Sequence, residues 1–220
     1  MMKQNRILII TGGAISIEFA KEYLHNHRFD IVIAVDSGLV TARSLDLPIH
    51  YIVGDFDSVP RDLIDHYRKD NSPVIIKEYN PMKNATDTHI AIDLSIELNG
   101  GEIVILGATG TRIDHMLANI HLLYLFLDKN IKASIIDEHN KIYLINKNTT
   151  IYKNKLHGPF ISLQSFTETV TDITLRGFKY PLTKHTMKIG DSLGVSNEVV
   201  MEQADIMLEN GILVVIEAKD

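Results

Sequence analysis

Residues 6–13 read RILIITGG and residues 31–38 read IVIAVDSG. Each holds a short, wholly apolar run, ILII or IVIAV, that stops at small residues. A strand with one face in water alternates apolar and polar residues, so an uninterrupted run belongs to a strand covered on both faces. Similar runs recur outward from these two, giving strand candidates Arg6–Ile10, Ile31–Val35, Ile49–Val53, Val74–Ile76, Glu102–Leu106 and Ala133–Ile136. Between them lie Ser16–Asn26, Leu39–Leu45, Arg61–Lys69, Thr88–Leu98 and Arg112–Leu127, most with apolar residues three and four apart. That alternation predicts an open, mostly parallel α/β/α sheet with right-handed crossovers.

After about Lys141 the period changes to two. KIYLIN, TTIYKN, FISLQSF, DITLRG and ILVVIEA read as antiparallel strands, and no helical pattern follows them. Asn210-Gly211, between Ala204–Glu209 and Ile212–Glu217, predicts a tight hairpin because both residue types tolerate positive φ. The chain should therefore fold as an α/β domain over 1–140 and a small antiparallel β-sandwich domain over 141–220.

Composition narrows the function. The 220 residues are 45% hydrophobic and 23% charged, an ordinary globular balance. A net charge of −6 argues against a general nucleic-acid binder, which needs basic surface to displace counterions. Cysteine is absent, which removes thiolate metal sites and cysteine nucleophiles. The run Ile7–Ile10 is too short for a signal-peptide core or a membrane span, so a soluble, cytoplasmic protein without a membrane partner is expected.

In open α/β sheets, ligands bind beyond the carboxyl ends of the strands. Here the first strand is followed by Gly12-Gly13, the second by Asp36-Ser37-Gly38 and the third by Gly54-Asp55-Phe56-Asp57-Ser58. The fourth leads to Lys83-Asn84-Ala85-Thr86-Asp87, and the fifth to a stretch from Gly107 through Arg112 and Asp114 to His115. Carboxylates at 36, 55, 57, 87 and 114 would repel one another unless a cation gathered them. Hard oxygen ligands without a cysteine or histidine cluster suit Mg²⁺, which commonly bridges carboxylates to nucleotide phosphates. Lys83 and Arg112 add positive charge, and the glycine-bearing turns admit a phosphate to the backbone. Taken singly, Asp87 and Asp114 could be helix N-caps, Asp55 with Asp57 an Asx turn, and His115 a polar helix residue.

GDFDS at 54–58, KNATD at 83–87 and GATGTRIDHMLANI at 107–120 resemble, in order and spacing, the signature blocks of thiamine pyrophosphokinases. VDSG at 35–38, GFKYPL at 177–182 and LGVSNE at 193–198 are similar to further blocks of that family. The resemblance implies transfer of a pyrophosphoryl group from ATP to the hydroxyl of thiamine, with Mg²⁺, by a homodimer whose thiamine sites lie at the subunit interface. It implies that Asp55, Asp57 and Asp87 carry the metal and the catalysis. It further implies that Gly13, Asp36, Lys83, Thr86, Thr109, Arg112 and Asp114 meet ATP or its phosphates, and that Ser196 and Asn197 meet thiamine. Asp87 and Asp57 both remain candidates for accepting the hydroxyl proton. Three positions depart from the family pattern: Ser37 and Thr111 stand where Gly is usual, and Asn84 where Asp is usual.

Overall fold

A computed structural model describes residues 4–69, 73–78 and 85–220. Lys83 and Asn84 lie outside these residues. The chain divides into two units, Met1–Glu138 and His139–Asp220.

The first unit follows the alternation read from the sequence. Its elements are β1 (Asn5–Ile10), α1 (Ile17–Asn26), β2 (Ile31–Val35), α2 (Gly38–Ser44), β3 (Tyr51–Gly54), α3 (Arg61–Lys69) and β4 (Ile75–Glu78). They continue with α4 (Asp87–Glu97), β5 (Gly100–Leu106), α5 (Ile113–Leu122), α6 (Tyr124–Leu127) and β6 (Lys132–Ile136). The strands pair in the order β6-β5-β1-β2-β3-β4, every pair parallel. Ile7, Leu8, Ile9 and Ile10 are all fully buried, as a strand covered on both faces requires. On one face Leu8, Ile10, Val32, Ala34 and Ile52 pack with Ala20 of α1 and with Leu39 and Ala42 of α2. After β4 the chain crosses to the other side of β1 to form β5. The strand order therefore reverses between β1 and β5, and a crevice opens at such a reversal.

Two elements differ from the sequence reading. The third strand starts at Tyr51 rather than Ile49, because the His50 ring nitrogen Nδ1 takes the Val32 N–H (3.1 Å) in place of a backbone carbonyl. The helix expected over 112–127 breaks at Leu123. Leu123 and Phe126 donate to carbonyls three residues back, at 3.2 Å each, and this tighter turn buries both side chains on one side.

The second unit holds β7 (Asn140–Ile145), β8 (Thr149–Tyr152), β9 (Phe160–Ser165) and β10 (Thr169–Arg176). After them come β11 (Leu182–Lys188), β12 (Asn197–Glu198), β13 (Gln203–Met207) and β14 (Leu213–Ala218). One antiparallel sheet runs β12-β9-β14-β7 and the other β11-β10-β13-β8. Ile161, Leu163, Leu213 and Val215 of the first pack on Val170, Ile173, Met187 and Ile206 of the second, making the core of a sandwich. The hairpin expected at Asn210-Gly211 is not one. β13 pairs with β8 and β10 while β14 pairs with β7 and β9, so this turn carries the chain from one sheet to the other. Leu208 before the turn and Leu213 after it both enter the core between the sheets.

Candidate active site

The crevice between β1 and β5 is the mouth of a cleft of about 610 Å³. Thr11 to Ala14 after β1 and Gly107 to Arg112 after β5 form two of its walls, tied together by Gly13 N–H to Gly107 O (2.8 Å) and Ala14 N–H to Thr109 O (3.1 Å). A Cβ on Gly13 would stand 2.1 Å from Gly107 O and 2.3 Å from Thr109 O, so only glycine lets these turns meet. Asn119 of α5 reaches back to hold the Ala108 carbonyl at 2.9 Å and also lines the cleft.

The carboxylates arrive from three more strand ends. Asp36 follows β2 at φ +46, held there by its N–H to Val53 O (3.0 Å). Asp55 follows β3, and the next residue, Phe56, sits at φ +64 with its ring in the core. A left-handed aromatic residue is uncommon and costs energy, which points to a backbone shaped for function. Burying the Phe56 ring lets Asp55 and Ser58, on either side of it, face the cleft. Asp57 donates its N–H to Asp55 Oδ1 (3.2 Å), so the Asx turn is present, and Asp57 is not among the lining residues. Thr86, not Asp87, caps α4: its hydroxyl accepts from His89 N–H at 3.2 Å. The Asp87 carboxylate is thereby left to the cleft.

Asp36 is where these charges meet. Burial first, then the carboxylates of Asp87 and Asp55, push its carboxyl up to about 7, against a smaller opposing effect of a backbone hydrogen bond at Phe56. Its Oδ1 is buried without a hydrogen-bond partner among the described residues. No three carboxylate or imidazole groups among the described residues form a ready-made metal cage. What is present is an under-neutralised set of hard oxygens with an orphaned acceptor, the donor chemistry that fits a divalent cation such as Mg²⁺.

Arg112 lines the cleft and pairs with Asp114 through two of its guanidinium nitrogens, Nη2 at 2.5 Å and Nε at 3.2 Å. The hydrogen bond from Arg112 is the main reason the Asp114 carboxyl falls to about 2. Asp114 itself does not line the cleft; it orients the guanidinium. Gly13, Asp36, Asp55, Thr86, Asp87, Thr109 and Arg112 are thus brought together, and Lys83 lies outside the described residues. Sequence reasoning passed over Thr11, Ser58, Met116 and Asn119, and it set His115 aside, yet all five line the cleft. Asn119 and His115 are four apart on one helix, and that spacing was the available signal.

Ser196 and Asn197 lie in the second unit. Ser196 is exposed at φ +57, with its N–H on Ser162 Oγ (3.0 Å). Asn197 is only 6% exposed; its amide accepts from Tyr180 N–H (3.0 Å) and Glu198 N–H (2.9 Å) and donates to Tyr180 O (2.8 Å). It fastens the 193–201 loop to the 177–180 loop.

The family model of the thiamin pyrophosphokinase catalytic domain matches residues 21–135, and that of the thiamin pyrophosphokinase vitamin B1 binding domain matches 148–213. The chain belongs to the thiamine pyrophosphokinase family. A thiamine pyrophosphokinase of Bacillus subtilis is 33% identical over 188 residues, covering 86% of this chain and 87% of that protein. The crystal structure of thiamine pyrophosphokinase from B. subtilis superposes with a TM-score of 0.86 at 31% identity, covering 98% of this chain and 99% of that one. That of thiamin pyrophosphokinase from Geobacillus thermodenitrificans gives 0.84 at 28% identity, with 97% of each chain covered. As a member of this family the chain is an enzyme, a pyrophosphokinase whose substrate is thiamine. No described helix is long and apolar enough to cross a membrane.

Proposed function

We propose that the cleft of the first unit binds ATP with Mg²⁺ and that the pyrophosphoryl group passes there to the thiamine hydroxyl. The observation that carries this reading is the convergence of Asp36, Asp55 and Asp87 with two glycine-bearing turns and Arg112 in one cleft. Anionic phosphates could not approach three carboxylates without a cation, and the carboxylates have no other evident reason to gather. Asp55, Asp57 and Asp87 would hold the metal, Asp57 by turning inward from its place beside the cleft. When bound, Mg²⁺ supplies positive charge that neutralises the phosphate oxygens.

The residues of the chain then have distinct tasks. Thr86 and Thr109 offer hydroxyl donors to the phosphates, Gly13 lets the chain approach them closely while its own N–H holds Gly107 O, and Arg112, steadied by Asp114, adds a cation at the rim. By the family resemblance Lys83 would give the phosphates a second cation. The thiamine oxygen attacks the β-phosphorus, the bond from that phosphorus to the α–β bridging oxygen breaks, and AMP leaves with the electron pair. Asp87 or Asp57 takes the hydroxyl proton. Ser196 reads the thiamine pyrimidine, and Asn197 acts through the loop that it fastens. The active form is a cytoplasmic homodimer with thiamine at the interface, and neither nucleic acid nor membrane is a partner.

The test is to incubate purified protein with thiamine, ATP and Mg²⁺ and to resolve the products by mass spectrometry. Thiamine diphosphate and AMP in equal amounts are expected, with neither formed when Mg²⁺ is chelated. Thiamine monophosphate with ADP would place the attack at the γ-phosphorus and overturn this account.

A further inference from the structure

Gly12 and Ser37 stand face to face across the ends of β1 and β2. A Cβ added to Gly12 would meet Ser37 Oγ at 2.2 Å, and the next nearest atoms, Ser37 Cβ and N, lie at ordinary distances of 3.5 and 3.8 Å. The Ser37 hydroxyl is thus the one close obstacle to a side chain at position 12 among the described residues. Gly13 differs, because its neighbours are backbone carbonyls that no substitution could remove. Ser37 precedes α2 yet makes no capping hydrogen bond with its side chain, and it lines the cleft beside Gly12, Gly13 and Asp36. The bare Cα of Gly12 therefore leaves room for a hydroxyl that caps no helix and lines the cleft.

We infer that Ser37 is a binding residue for the phosphate chain of the nucleotide, and that Gly12 is glycine so that the hydroxyl can point into the cleft. This rests on the nucleotide reading of the cleft given above. A hydroxyl donates to an anionic oxygen whichever nucleoside carries it, so the partner is the polyphosphate. Ser37 Oγ ends a rotatable side chain, so a methyl group at position 12 turns the hydroxyl aside rather than breaking the fold. Gly12→Ala and Ser37→Ala then remove the same contact by different routes, and their effects do not add.

Titration calorimetry with Mg²⁺ present tests this, using wild type, Ser37→Ala, Gly12→Ala and the double variant against ATP and against inorganic tripolyphosphate. Ser37→Ala is expected to weaken both ligands by roughly tenfold, the loss of one hydrogen bond to a charged group. Gly12→Ala should give a similar loss with an unchanged unfolding temperature, and the double variant should be no weaker than Ser37→Ala alone. Wild-type affinity in Ser37→Ala, or losses that multiply in the double variant, would overturn the assignment. A loss for ATP without one for tripolyphosphate would move the contact to the nucleoside and also overturn it. If Gly12→Ala does not fold, Ser37→Ala against the two ligands decides the question. Wild type that binds neither ligand would remove the nucleotide reading itself, and this assignment with it.

Discussion

Asp36 costs the metal-free protein stability at neutral pH, and the cost disappears in acid. Its carboxyl has an ordinary value of 3.8 and is raised to about 7 in the fold, first by burial and then by Asp87 and Asp55. Below about pH 4 the group is protonated both folded and unfolded, so it adds no penalty. As pH rises from about 4 to about 7, the unfolded chain ionises freely while the folded one resists, and the penalty grows to its full size. Asp36→Asn keeps a side chain that tolerates the left-handed φ of +46 and removes the charge. In chelator at pH 8 the variant should be more stable than wild type by on the order of 1 kcal/mol. The gain stays below the full linkage value because the carboxylate is only half-buried and is screened. Thermal unfolding should show a rise of about 2–4 °C at pH 8 and almost none at pH 4. Activity should fall sharply. A variant less stable than wild type at pH 8 would mean that the carboxylate is satisfied by the fold, and the case for a cation there would fail.

Helix α4 shows how one element sets a site. Thr86 supplies the cap, so Asp87, the first helical residue, is not spent on His89 N–H. Thr86→Ala should cost about 1 kcal/mol and lower turnover, since α4 carries Asp87 toward Asp36. Thr86→Ser retains the capping oxygen and should recover most of the stability in urea titrations. Equal losses for the two variants would show that the methyl group matters and the cap does not. Much at this scale was legible in the sequence. ILII and IVIAV reported burial on both faces because periodicity records burial directly. The Thr86 cap was not legible, because Thr and Asp are adjacent and both are good caps. Nor was the fate of Asn210-Gly211. Turn chemistry fixes a local reversal, but whether the two strands pair depends on which sheet each joins, and period two is the same in either. The strand ends that form the cleft could be named from their glycines and carboxylates. Asn119, His115 and Met116 were passed over because the one signal present, His115 and Asn119 four apart on a helix, is shared by any helix that turns a polar face to water.

At the scale of the whole molecule, the second unit leaves apolar surface uncovered. Tyr180, Leu193, Val195, Val200 and Met201 are exposed, Met201 to 62%. The two loops bearing them are knitted together by hydrogen bonds. Lys179 N–H meets Glu198 O at 2.9 Å, Val200 N–H meets Gly177 O at 2.9 Å, and Asn197 clamps both sides of Tyr180. Large apolar side chains gathered on joined loops mark interaction surfaces, and Ser196 lies on one of these loops. The proposed homodimer would bury these side chains, and a symmetric interface places them against their own copies. A single charge there should then be felt twice. Met201→Asp puts two carboxylates into one apolar contact, where neither has a partner, and their desolvation should outweigh the packing that is lost. Sedimentation velocity at micromolar concentration should give wild type about twice the chain mass of 24.8 kDa and Met201→Asp close to one chain. Because Met201 is exposed within the chain, the unfolding of the isolated subunit should be unaffected, which separates a lost interface from a damaged fold. Thiamine affinity should fall with the dimer while ATP affinity holds, since the cleft belongs to the first unit. Wild type that sediments as a single chain at full activity would overturn the dimer, and a dimeric Met201→Asp would move the interface elsewhere.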